Sequence, residues 1–191
     1  QPTRRRRQRQ MCIRDRDIEE KIKIFKNKLG YNPIYFSYPF GEYNLEQKNY
    51  ISNNFEFAFG QHSGVIDLNK DRYELQRFPI NEKYGEIKRF KEVISYLPLQ
   101  YRIIKPENKF MNDGENPPKM TIEFFKDQKN LENINCFSNE GSKWRKTKIV
   151  LIDNILNVNF AEKFIERRGR INCSLKDESG WRFSGFQFVQ N

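Results

Sequence analysis

An α/β segment followed by an all-β segment is the fold class this sequence predicts. Three observations predict it. Between residues 17 and 60, apolar residues repeat first at helical and then at strand spacing, twice over. Pro98 ends the last helical pattern. From Lys119 onward no stretch keeps helical spacing, and short β-rich runs recur roughly every ten residues.

Residues 17–29 form the first predicted helix. Ile18, Ile22, Phe25 and Leu29 share one face of it. Asp17 and Glu20 have capping-box spacing, and Gly30 suits a helix stop. Residues 34–38 read as an apolar strand, ended by the turn Pro39-Phe40-Gly41. Asn44 with Gln47 starts a second helix reaching residue 54, and residues 55–59 are a second strand closed by Gly60. Helix, strand, helix, strand is the rhythm of a parallel α/β sheet or barrel. Residues 61–80 are loop-like, with an extended piece at 75–80. A third helix is expected over 86–97, with Ile87, Phe90, Ile94 and Leu97 on one face.

Residues 99–118 are extended, rich in Pro and Asn, and read as a linker or first strand. Beyond them Met120, Ile122 and Phe124 alternate. Residues 149–152 and 155–160 are β-rich and split by Asp153-Asn154. Trp181, Phe183, Phe186 and Phe188 form a last aromatic strand in which Gly185 marks a bulge. Strands of this length and spacing suggest a small β-sandwich over residues 119–191.

Charge divides the chain as sharply as periodicity does. The 191 residues carry 35 Lys and Arg against 25 Asp and Glu, a net +10. Residues 1–16 alone hold seven Arg and one Asp, so the rest carries only +4. A basic arm would bind nucleic acid. A secretory signal is excluded, because the stretch has no apolar core. The string MCIRDR resembles translated sequencing-adapter sequence found at the ends of environmental genes, and residues 1–16 read as a non-native tail. Residues 17–191 are then a C-terminal fragment of a longer protein, with little charge to suggest a nucleic-acid partner. No apolar run approaches the roughly 18 residues a transmembrane helix needs, and 17 Phe with 9 Tyr argue against disorder throughout.

Of three cysteines, Cys12 lies in the tail, while Cys136 and Cys173 lie in the β-rich half. They are either two buried thiols or one disulfide, and the disulfide would place the protein in an extracytoplasmic compartment. Two such cysteines do not make a zinc site.

The chemistry-bearing segments are Phe36-Ser37-Tyr38-Pro39-Phe40-Gly41-Glu42-Tyr43-Asn44, Phe57 to Gly64, and Arg77-Phe78-Pro79-Ile80-Asn81. Each follows or ends an expected strand, where α/β barrels build their active sites. The Pro39–Gly41 turn either exposes N–H groups for an oxyanion or simply joins strand to helix.

YFSYPFGEYN with FAFGQHSG and RFPIN resembles the C-terminal portion of the polysaccharide deacetylase catalytic domain, the NodB-homology fold of carbohydrate esterase family four. INCFSNEG, ERRGRINCSL and GWRFSGFQF are similar to the β-domain found after it in some bacterial members. The resemblance implies the C-terminal part of a deformed (β/α) barrel over 17–98 and a β-domain over 119–191. It implies a hydrolase that removes N- or O-acetyl groups from polysaccharides of acetylated amino sugars. A divalent, zinc-type metal held by one Asp and two His would polarise the acetyl carbonyl and activate water. Phe40 would donate its main-chain N–H to the oxyanion, and Tyr38, Pro39 and Gly41 would shape the substrate groove.

This sequence departs from the family pattern in its metal half. The Asp pair and the paired metal-binding His are missing, and the chain has one His, His62. No metal ligand is therefore assigned, and the fragment alone is expected to be inactive. Ser37 stands where the family often has a base-orienting Arg, so Arg77 is the candidate for that charge. His62 is either a proton donor to the leaving amine or a plain loop residue, and a triad with Ser63 is disfavoured because no nucleophile elbow is present. Asp67 and Asp71 read as solvated, Arg167, Arg168 and Arg170 as a charged turn, and Trp144 or Trp181 as sugar-stacking residues if exposed. A non-catalytic carbohydrate-binding module is the rival function.

Overall fold

The computed structural model describes the backbone of residues 2–112 and 114–190, with side chains from Arg16 onward. The described residues form three α-helices and twelve strands, a mixed α and β architecture. Helix α1 spans Pro2–Leu29. It begins upstream of Asp17, so Asp17 sits inside the helix and caps nothing. The side chains of residues 1–15, Cys12 among them, lie outside the described residues. Gly30, at φ +83°, stops the helix, and its N–H bonds Lys26 O at 2.8 Å. Ile18 and Ile22 pack on a small core of Tyr38, Tyr43, Ile51, Phe55 and Ala58.

That core lies under one βαβ unit. Strands β1 (Tyr35–Ser37) and β2 (Phe57–Phe59) pair in parallel, Tyr35 opposite Phe57, with helix α2 (Leu45–Ser52) between them. The α2 capping box is complete: Asn44 Oδ1 accepts the Gln47 N–H at 2.8 Å, and Gln47 Oε1 accepts the Asn44 N–H at 3.1 Å. The extended piece expected at 75–80 joins this pair only at Leu75, which bridges Phe59 in parallel.

Helix α3 (Ile87–Ser95) ends earlier than its periodicity suggests, because Leu97 and Pro98 form a short strand, β3. The face the sequence marks as apolar is present but uncovered: Ile87, Phe90 and Ile94 are all exposed.

Residues 99–118 are more than a linker. They hold β4 (Ile103–Lys105) and β5 (Phe110–Met111), and Leu99 and Met111 are buried. One sheet has the order β4-β6-β10-β9, from β6 (Met120–Glu123), β9 (Lys148–Ile152) and β10 (Ile155–Asn159). Asp153, at φ +54°, turns β9 into β10. The second sheet has the order β3-β12-β11-β7-β8, with β5 also on β12. Its other strands are β7 (Asn135–Ser138), β8 (Arg145–Lys146), β11 (Arg168–Asp177) and β12 (Gly180–Gln190). Both sheets feed one core, in which Met120, Ile122 and Leu156 meet Ile171, Leu175 and Phe188. The alternation along β6 and β11 is what turns one face of each inward.

Two expectations for this half are corrected. Arg168 and Arg170 lie within β11, not in a turn; the actual turn comes after Asp177, whose Oδ1 accepts the N–H groups of Ser179 and Gly180. Gly185 is not a bulge, since β11 and β12 stay in continuous register through Asn172 opposite Gly185. Gly185 is needed instead for close approach: a Cβ there would lie 2.1 Å from the carbonyl oxygen of Ser63. Gln76 secures the same contact, donating to Ser184 Oγ at 2.7 Å and Gly185 O at 3.0 Å. Gly185→Ala should therefore cost about 2 kcal/mol by overpacking, read as a lowered urea midpoint at unchanged slope; an unshifted midpoint would refute the close approach.

Candidate functional site

The turn after β1 carries the most unusual backbone in the βαβ unit. Phe40 adopts φ +57°, ψ +9°, the left-handed region that bulky residues avoid. Pro39 sets the turn's start, and Gly41, at φ +68°, completes it with the Gly41 N–H bonded to Tyr38 O at 2.8 Å. Gly41 has no room for a side chain, since a Cβ would lie 2.4 Å from the Gln61 backbone nitrogen. Among the described residues no acceptor is found for the Phe40 N–H, and the Phe40 side chain is 68% exposed.

Strands β11 and β12 hold this turn from the other half of the chain. Arg168 Nη1 donates to Phe40 O at 3.2 Å and to Gln61 Oε1 at 3.3 Å. Gln187 Nε2 donates to Gly41 O at 3.2 Å. Arg167 grips the Glu42 carboxylate through Nε, at 3.1 Å from each oxygen, and through Nη2 at 2.9 Å.

The sequence candidates divide here. Pro39 and Phe40 face solvent and Gly41 is buried. Tyr38 does not line a groove: it is buried, stacked on Tyr43 with ring centroids 4.4 Å apart. Burial, with Asp71 and Glu74 nearby, pushes its hydroxyl well above the usual tyrosine range. Arg77 is exposed, and no ion pair to its side chain is found among the described residues. The cations at the turn are Arg167 and Arg168, which sequence spacing could not reveal because they lie over 100 residues away.

His62 is neither a surface loop residue nor a free acid. It is buried, with its ring close to the main chain of Glu74. Among the described residues its Nδ1 has no partner, and it lies where a Cβ on Gly60 would come within 2.5 Å. Burial lowers its pKa to about 4, so the imidazole is neutral at pH 7.

His62 lines a cavity of about 410 Å³ together with Tyr43, Lys48, Glu74, Tyr101 and Lys109. Lys48 joins Asp71 at 2.8 Å and also Glu74, so Asp71 is paired rather than merely solvated. Burial works against the Lys48 charge, but the two carboxylates outweigh it and raise the pKa. Lys109 has no such pair among the described residues, and burial lowers its pKa. Asp67 accepts from Asn69 N at 3.0 Å and from Gln100 Nε2 at 3.2 Å.

The side chains around the turn do not fit the divalent metal that the resemblance implies. The only imidazole is buried against Gly60, Asp71 and Glu74 are held by Lys48, and Glu42 is held by Arg167. Among the described residues no three His, Cys, Asp or Glu converge on one point, and no helix is long and apolar enough to cross a membrane. The two indoles, Trp144 and Trp181, are 52% and 48% exposed. Compared with known proteins, the chain matches no family model, no curated protein and no solved structure.

Proposed function

We propose that this chain is the C-terminal part of a polysaccharide deacetylase, the end of a deformed (β/α) barrel followed by a β-sandwich. The observation that carries the reading is the Phe40 amide. It stands just after a parallel strand, in a left-handed turn, without an acceptor among the described residues. An N–H held this way can donate to the oxygen of an acetyl group as charge develops on it, without reorganising at that moment. Pro39 and the exposed Phe40 ring form the rim such a sugar would meet, while Tyr38 and Gly41 support it from below. The metal chemistry would come from sequence preceding this segment, since one His cannot complete a His-His-Asp site. The disulfide-bonded pair in the β half favours an extracytoplasmic location.

The exposed indoles Trp144 and Trp181 favour a second reading, a non-catalytic carbohydrate-binding module, because aromatic faces stack on sugar rings. Titrating an N-acetylglucosamine oligosaccharide into the ¹⁵N-labelled chain separates the two. Perturbation centred on the Phe40 and Gly41 amides supports the deacetylase groove. Perturbation confined to the two indoles supports the module and refutes the groove. The chain alone is expected to release no acetate from that oligosaccharide, and turnover by it would refute the division of the site.

A further inference from the structure

We propose that Arg168, seconded by Arg167, is a positioning residue that keeps the Phe40 amide aimed outward; this rests on the deacetylase reading of the turn. A phenylalanine at φ +57° is held away from its preferred backbone, and such a conformation persists only where the surroundings over-determine it. Here they do so from the all-β half. Arg168 fixes the Phe40 carbonyl, Gln187 of β12 fixes the next carbonyl, that of Gly41, and Arg167 fixes the side chain of the next residue, Glu42. Three consecutive residues are therefore held from strands β11 and β12 or the residue just before β11.

The local chain supplies only part of this restraint. Within the turn, the hydrogen bonds run from Gly41 N to Tyr38 O and from Glu42 N to Pro39 O, at 2.8 and 3.1 Å. They orient the two peptide groups on either side of Phe40, but among the described residues the Phe40 carbonyl oxygen itself accepts from Arg168. With Pro39 limiting the preceding φ, a fixed Phe40 carbonyl leaves little freedom to the peptide plane that carries the Phe40 N–H. Arg168 also bonds Gln61, whose backbone packs against Gly41, so one guanidinium ties the turns after β1 and β2 together. The all-β half is then part of the site's geometry and not an appendage to it.

NMR on the full chain tests this. In Arg168→Ala, the Phe40 amide and Cα resonances should leave their left-handed positions while those of Ile171 and Leu175, on the same strand, stay in place. Arg168→Lys, which keeps one donor, should restore most of the shift. Titration with the N-acetylglucosamine oligosaccharide should show binding weakened about tenfold in Arg168→Ala. Unmoved Phe40 resonances in Arg168→Ala overturn the proposal, whatever the sugar does. A Phe40 shift in a chain whose wild type binds no sugar supports the positioning and refutes the deacetylase reading. If Arg168→Ala does not fold, Arg168→Gln and Arg167→Ala are read the same way, and an unmoved Phe40 in both overturns it.

Discussion

Replacing Cys136 and Cys173 together by alanine is expected to lower stability by about 3–4 kcal/mol. The two residues face each other across β7 and β11, joined as a disulfide, with Cα atoms 4.1 Å apart. Both are fully buried in the core shared by the two sheets. They lie 37 residues apart in sequence, and the loop they close contains β8, β9 and β10. Removing the link lets the unfolded chain regain the freedom of that whole loop, which is the larger part of the cost. Urea melts of the wild type and the double variant measure it, with the wild type repeated in reductant. The reduced wild type should approach the variant, and the melting temperature should fall by roughly 10 °C for a chain of this size. Equal midpoints in all three would show that the sheets need no covalent link.

The second large effect is a loss of stability in mild acid. His62 titrates at about 4 in the folded chain and near 6.5 when unfolded. Its folded value is depressed, so the unfolded chain binds the proton first. Stability is therefore fully present above pH 6.5 and falls as pH drops from there towards 4, where the loss levels off. The whole shift corresponds to about 3 kcal/mol, of which about 2 is lost by pH 5. The cause is visible in the packing. The ring is buried, and a proton added to Nδ1 would find Gly60 instead of an acceptor. His62→Gln should keep a polar side chain of similar size there while removing the titrating group. Urea melts between pH 7 and pH 5 should then show a nearly flat stability for His62→Gln and a steep one for wild type. Parallel slopes would place the acid sensitivity elsewhere.

Much of the local structure was legible. The α2 capping box, the stop at Gly30, the Asp153 turn and the alternation along β6 arise from neighbours a few residues apart. Local chemistry acts at that range, through caps, turns and side-chain period. Where local reading went astray, a distant partner decided. Arg168-Gly169-Arg170 has turn composition, yet pairing with β12, from Arg168 opposite Val189 to Arg170 opposite Gln187, makes it strand. Leu97 fits a helical face, yet it opposes Arg182 of β12.

The candidate site shows the same division. The Pro39-Phe40-Gly41 turn and its place after a strand are readable from residue types, because Pro and Gly act on their own dihedrals. The residues that hold it are not. Arg77 lies close to the turn along the chain, but Arg167 and Arg168 reach the turn only because β11 folds back beside it. His62 likewise looked like a loop residue, since nothing in Gln61-His62-Ser63-Gly64 signals burial.

By itself, then, the sequence determined helix α2 and its capping box, the stop at Gly30, the Asp153 turn, the alternation along β6 and which turn is chemically distinctive, because those properties depend on bonds and contacts within a few residues. Tertiary structure alone decided what clamps the turn, what neutralises His62 and why Gly185 must be glycine. Those outcomes depend on burial and on partners brought close by folding, and sequence spacing carries no record of such distances.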